Sequence, residues 1–551
     1  MKEYLTEKVN AALSALDYRD GIKLTFEKPK LSTHGDLTTN IAMQLAKSVG
    51  KNPRVIAQEI VSKLSLENDL VSQVQIAGPG FINFFFTDKF FMRNLNRVLE
   101  EGAGFGRSNI GNKKKTQVEF VSANPTGPLS VGHGRQAAIG DTIANLLEWT
   151  GHDVTREYYY NNAGRQMRML AESTYVRYRQ LFDPTVPFPE DGYQGDYIRD
   201  IAEQIQKERG EELLSTPEEE ALESCKQRAE QILFEEIKKV LARMGVHFDV
   251  FFNEDSLYKE GHIEEVIAEF RKRELAYDHE GAVWFKATAF GLDQDRVIVK
   301  STGEPTYRLP DIAYHREKFR RGFELVVDVF GADHIATIPD VLAGVRALGY
   351  DADSVKVVIH QFVTLMRDGQ QVKMSKRAAN FVTLDELIDE VGPDAVRFFF
   401  LMRSISSHLE FDLNLAKEQS DKNPVYYVQY AHARIASILR FARSEGIVNE
   451  QREKPGATTF DLLKEPEEIA LVKLLLEFPD VVESTCFSFE PHRLTGYLNN
   501  VATAFHKFYH EHRVVLPDRS LAQARLDLCL ATKTVLANGF AILSISAPEQ
   551  M

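Results

Sequence analysis

Two short segments of this chain hold residue types that together could manage the phosphates of a nucleotide: Pro128-Leu129-Ser130-Val131-Gly132-His133-Gly134-Arg135 and Lys373-Met374-Ser375-Lys376-Arg377. In the first, Gly132 lets a ligand approach the backbone, and His133 falls at the opening of a helix whose N-terminal N–H groups favour anions. An imidazole donor there would stabilise charge developing on an α-phosphate. The second places Lys373, Lys376 and Arg377 together just after the turn-like Arg367-Asp368-Gly369-Gln370-Gln371. Cations on such a loop can neutralise the charge that grows on a departing pyrophosphate, with Lys376 the first candidate and Lys373 the second. Alone, His133 reads as a helix-start histidine and the basic run as a solvated loop. Paired, the two segments read as halves of one ATP site.

The elements that must position them follow from the apolar pattern. Residues 116–121 alternate as a strand, the prolines and glycine of Asn124-Pro125-Thr126-Gly127-Pro128 break regular structure, and residues 135–149 have helical periodicity. A second strand over 153–160 completes a βαβ start to a Rossmann-like, doubly wound parallel α/β sheet, where ligands bind at the carboxyl ends of the strands. Residues 183–261 are highly charged and mostly helical, an expected insertion whose plainest role is a solvated face. Strand signals resume at 282–286, 295–300, 325–330 and 355–362, so the catalytic sheet is expected to be discontinuous in sequence.

Ahead of this domain, helical patterns at 4–16, 37–49 and 54–66 and strands at 71–76 and 80–86 predict an N-terminal α+β module closed by a glycine-rich linker. After residue 394 the pattern is helical alone, over 425–441, 468–478, 492–511 and 521–543, which predicts a C-terminal all-α helical bundle. The expected division is residues 1–111, 112–393 with its insertion at about 183–261, and 394–551.

With 551 residues and 44% hydrophobic content, the chain can bury several cores. No apolar run reaches the ~20 residues of a membrane span, and Met1-Lys2-Glu3-Tyr4 lacks a secretory layout, so a cytoplasmic protein without a membrane partner is expected. Cys225, Cys486 and Cys529 are too scattered for a disulfide framework or a zinc site and read as small buried hydrophobes; no metal ligands are predicted. A net charge of -14 weighs against nucleic acid as partner, but phosphate contacts need only a local basic surface.

The two motifs resemble the HIGH and KMSKS signatures of class I aminoacyl-tRNA synthetases, with Ser130 in place of the first histidine and Arg377 in place of the last serine. The surrounding text resembles arginyl-tRNA synthetases: Glu119-Phe120-Val121-Ser122-Ala123-Asn124 running into the first motif, Ile76-Ala77-Gly78-Pro79-Gly80-Phe81-Ile82-Asn83, Phe248-Asp249 with Glu254, Tyr307-Arg308-Leu309-Pro310-Asp311-Ile312-Ala313-Tyr314, and Tyr427-Val428-Gln429-Tyr430-Ala431-His432-Ala433-Arg434. The resemblance implies a ligase that activates L-arginine with ATP and Mg2+ to arginyl-adenylate and transfers it to the terminal adenosine of tRNA(Arg), without a tightly bound cofactor. It also implies that tRNA must be bound before adenylate forms efficiently.

By the same resemblance, Pro125, Gly127, Ser130, Gly132, His133, Met374, Ser375 and Lys376 would contact ATP. A planar guanidinium needs carboxylate acceptors, and the family pattern implies Asp311 and Glu254, with Tyr307 beside the substrate and Glu119, Ser122 and Asn124 on its head group. Read singly, Asp311 is a helix cap and Glu254 a surface charge. Asp340 is assigned no role. Tyr426, Tyr430 and Arg434 offer stacking faces and a cation to anticodon bases, though an aromatic stripe is more often core. The N-terminal module would contact the tRNA elbow, and a monomer is expected. A class I synthetase for another amino acid and a non-catalytic tRNA-binding paralogue, the latter prompted by Ser130, are the alternatives.

Overall fold

The structure is a computed structural model of the chain and describes all residues except 19–23, 30, 373–381 and 448–459. Lys373, Met374, Ser375, Lys376 and Arg377 therefore lie outside the described residues. Two compact units form: Met1–Phe105 with Arg434–Phe478 and Thr503–Val535, and Gly106–Ala433 with Pro479–Ala502 and Leu536–Met551.

In the first unit, β1 (Leu37–Thr39), β2 (Val71–Ala77) and β3 (Phe81–Phe86) make an antiparallel sheet ordered β1-β3-β2. Phe84 and Phe86 bury on its inner face, and Phe86 meets Phe90 with ring centroids 4.1 Å apart. Residues 37–49, read from sequence as one helix, divide: Leu37-Thr38-Thr39 pair with β3, and the helix Ile41–Val49 starts only after Asn40. Two consecutive threonines favour the strand.

The second unit holds β4 (Lys115–Glu119), β5 (Asp153–Tyr160), β6 (Val250–Asn253), β7 (Ala276–His279), β8 (Ala282–Phe285), β9 (Arg296–Val299), β10 (Leu325–Gly331), β11 (Val355–His360), β12 (Val363–Arg367), β13 (Gln370–Gln371) and β14 (Leu409–Asp412). A parallel sheet runs β11-β10-β4-β5-β6. Val326, Val327 and Val329 of β10 are fully buried, as a strand covered on both faces requires. Side-chain alternation along the chain shows the covers. Gln117 and Glu119 meet Tyr314 and Lys318 of the helix Arg308–Arg320, while Phe120 packs on Gly140 of the helix Val131–Trp149, where a Cβ would come within 2.2 Å of its ring. Strand order reverses between β4 and β10, which opens the ligand crevice at their carboxyl ends.

Three expectations need correction. The stretch read as a helical insertion to residue 261 already contains β6, a strand of the parallel sheet; four half-buried residues are too few to show a period. The strands predicted near 282–286 and 295–300 belong not to that sheet but to an antiparallel one ordered β7-β8-β9. The region after 394 is not helical throughout: β14 pairs in parallel with β12.

Residues up to Ala433 belong to the second unit, where buried Arg397 donates to Asp141 at 2.6 Å, to the Leu543 carbonyl at 2.7 Å and to the Met244 carbonyl at 2.9 Å. The helix Arg519–Leu543 is also long and apolar enough to cross a membrane, contrary to the sequence reading, but 72% of its most apolar window is buried inside the protein. All three cysteines are buried and free, and burial pushes the Cys486 thiol up to about 11 and that of Cys225 up to about 12.

Candidate active site

β4 ends at Glu119, two residues sooner than its alternation predicts, because the chain turns through left-handed backbone at Val121 (φ 69) and Ser122 (φ 42). For β-branched Val121 this conformation costs about 1–3 kcal/mol, strain of the kind held at functional sites. The turn lets the Ser122 hydroxyl donate to Glu119 Oε1 at 3.0 Å while accepting the Tyr159 N–H at 3.2 Å. The Tyr158 hydroxyl donates to the Ala123 carbonyl at 2.7 Å, and Asn124 Oδ1 accepts the Asn161 N–H at 3.0 Å. Farther along, Pro125 is buried and Gly127 packs beside Tyr197, whose hydroxyl donates to the Thr126 carbonyl at 3.0 Å.

Ser130 is the N-cap of the helix Val131–Trp149, and with His133 it forms a capping box. The His133 N–H donates to the Ser130 hydroxyl at 3.5 Å, and His133 Nδ1 accepts the Ser130 N–H at 3.2 Å. An accepting Nδ1 puts the proton of the neutral ring on Nε2. A Cβ at Gly132 would meet nothing nearer than the Ser130 hydroxyl at 3.7 Å, so this backbone is open to a ligand. Gly134 instead serves packing: a Cβ there would strike Leu384 at 2.5 Å. The first segment is also bonded to residues that follow the second, through the Leu384 N–H on the Leu129 carbonyl at 2.8 Å and a bridge between Ser130 and Thr383. Arg135, fully buried, donates to the carbonyls of Gln361 at 2.7 Å, Ser407 at 3.0 Å and Ser404 at 3.1 Å. Burial lowers its pKa to about 10, which leaves it cationic at neutral pH.

One cavity of about 840 Å³ brings together Glu119, Ser122, Asn124, Glu254, Tyr307 and Asp311 with Ser130, Gly132 and His133. Pro125 and Gly127 do not line it. Sequence reasoning missed Tyr159, Tyr314, His315, Asp328, Gly331, Asp333, His334, His360 and Phe362, which also line it. For Gly331 to His334 a signal was present, since they directly follow a predicted parallel strand.

Asp311 lies in the first turn of the helix Arg308–Arg320 but is not its cap. Burial pushes its carboxyl up to about 7; nearby Glu119 and Glu254 push the same way, against His315 and Lys318. Glu254 follows β6 and accepts the Tyr159 hydroxyl at 2.7 Å; burial raises its pKa as well. Glu119 is different, since buried Lys318 donates to its Oε2 at 2.6 Å. Tyr307 is 60% exposed. Asp340 is buried and takes guanidinium groups from Arg296, at 2.9 Å, and Arg308. On the helix Pro424–Ser444, the half-buried Tyr426 and Tyr430 stack with centroids 6.1 Å apart. Exposed Arg434 lies over the ring of Tyr509, 5.0 Å from its centroid.

Family models match three stretches: the arginyl tRNA synthetase N terminal domain at residues 3–86, the catalytic domain of class I (R) tRNA synthetases at 94–400, and the DALR anticodon binding domain at 428–551. The arginine–tRNA ligase of Desulfotalea psychrophila is 54% identical over 529 residues, 96% of this chain and 95% of the relative. That of Salinibacter ruber is 48% identical, with all of both chains covered. The solved arginyl-tRNA synthetase of Thermus thermophilus, at 22% identity, has the same fold over both whole chains, with a TM-score of 0.78. The chain belongs to the arginyl-tRNA synthetase family.

Proposed function

We propose that this chain joins L-arginine to tRNA(Arg) in two steps within the cavity beside β4 and β10. A carboxylate oxygen of arginine attacks the α-phosphorus of Mg-ATP, and pyrophosphate leaves; a ribose hydroxyl of the terminal adenosine of tRNA then attacks the activated carbonyl, and AMP leaves. Asp311 and Glu254 bind the guanidinium, Tyr307 flanks it, and Glu119, Ser122 and Asn124 orient the head group. Ser130, Gly132 and His133 receive the phosphates, His133 through Nε2–H, with Pro125 and Gly127 shaping the preceding loop. Lys376, Lys373, Met374 and Ser375 act on the β,γ-phosphates. Catalysis of this kind is mainly placement and charge neutralisation.

Residues 1–111 serve the tRNA elbow, 112–393 the chemistry, and 394–551 the anticodon, with Tyr426, Tyr430 and Arg434 as contacts. The protein acts as a cytoplasmic monomer. The observation that carries the reading is a single cavity in which an anion-favouring helix start lies with two half-buried carboxylates that form no ion pair among the described residues. Ser130, which prompted the non-catalytic alternative, is accounted for by its capping of the helix. Pyrophosphate exchange into ATP, run with tRNA and each of twenty amino acids, is expected only with arginine. Exchange with another amino acid alone, or tRNA binding with no charging under any Mg-ATP condition, overturns the proposal.

A further inference from the structure

Behind the arginine pocket Glu119 joins a buried charge network whose other members, Lys318, Asp328 and His315, the mechanism above does not use. Lys318 is completely buried, and its ammonium group donates to Glu119 Oε2 at 2.6 Å and to Asp328 Oδ1 at 2.7 Å. Asp328 Oδ2 faces His315 Nε2 at 2.9 Å, and His315 Nδ1 faces the Asp311 carbonyl at 2.7 Å. One chain of polar contacts thus runs from the Ser122 hydroxyl to the backbone of Asp311, linking both ends of the arginine site. A buried ion pair gives little net stability over apolar side chains of the same volume, because desolvation offsets its attraction. Its placement against a ligand cavity is therefore better explained by the ligand than by the fold.

We infer that Lys318, backed by Asp328 and His315, is a positioning residue for the α-ammonium group of arginine. Its grip on Oε2 stops the Glu119 carboxylate from swinging, and the other oxygen, which Ser122 orients, is held for the substrate. This inference rests on the arginine-activating reading.

The test compares arginine with 5-guanidinopentanoate, which keeps the guanidinium and carboxylate but lacks the amino group. The KM for arginine and the inhibition constant of the analogue are measured in the charging reaction of the full chain. In Lys318→Met the arginine KM is expected to rise about 10- to 100-fold while the analogue weakens less than about threefold, so their difference collapses. Equal weakening of both ligands, or an unchanged arginine KM, overturns the inference and makes Lys318 merely structural. If Lys318→Met does not fold, Lys318→Met with Asp328→Asn removes one of the two carboxylates it neutralised, and the same ratio decides; an unfolded double variant also assigns Lys318 to the fold. Failure of the wild-type chain to charge arginine would sink the underlying reading instead.

Discussion

Within one cavity Glu119 is ion-paired, to an ammonium group at 2.6 Å, whereas Asp311 and Glu254 form no ion pair among the described residues. The same functional group is thus prepared in two ways. A carboxylate paired in advance is a fixed acceptor, and its desolvation is already offset when the ligand arrives. A half-buried carboxylate without an ion pair has its pKa raised, as Asp311, to about 7, and Glu254 do, so an arriving cation favours its charged form. The second arrangement suits arginine, whose guanidinium keeps its charge and presents a planar fork to two acceptors.

Substitutions on each side of this contrast test it. The largest effect is expected from Asp311→Asn, which leaves a bound guanidinium short of a counter-charge: kcat/KM for arginine falls about 1,000-fold, with tRNA affinity by filter binding unchanged. Equal loss of tRNA affinity would mean misfolding. Lys376→Ala is expected to slow adenylate formation about 100-fold with little change in the arginine KM, which separates chemistry from recognition.

The pH profile comes next. Because the Asp311 carboxyl is raised to about 7, the free site holds a proton below that pH which a guanidinium must displace. Arginine affinity therefore rises with pH, by about tenfold per unit below 7, and levels off above it, with a proton released on binding near neutrality. A flat profile from pH 6 to 8 would remove the distinction between the paired and unpaired carboxylates. Tyr159→Phe, which deletes the hydroxyl on Glu254, is expected to raise the arginine KM about fivefold and leave the KM for ATP alone. The smallest change is that of Ser130→Ala, about 1 kcal/mol of unfolding free energy from the lost helix cap, read by denaturant titration.

The same contrast explains how much was legible in the chain. Doubly wound topology and the six arginine candidates, which line one cavity, could be read from patterns and family resemblance, because motif residues keep their spacing. Lys318 could not: it sits in the run Arg316-Glu317-Lys318-Phe319-Arg320-Arg321, which reads as a solvated helix face, and only the fold brings Glu119 and Asp328 to it. Short strands escaped for a related reason. β6 and β14 have four residues each and pair with partners far away in sequence, so local pattern carries little of what holds them. Asp340 likewise showed no local sign that Arg296 and Arg308 would claim it.

Arg135, two residues beyond His133, has a consequence for protein engineering. Its guanidinium is spent on three main-chain oxygens, at the end of β11 and in the loop before β14, and β14 pairs with β12, which pairs with β13, the last described strand before residue 373. The histidine-bearing helix is therefore tied by direct hydrogen bonds to the end of β11 and to the loop that leads into the β13-β12-β14 sheet. Because the cradle is main chain, side-chain substitutions at 361, 404 and 407 are expected to be tolerated, whereas an insertion or deletion that moves their carbonyls would leave the Arg135 guanidinium buried without acceptors.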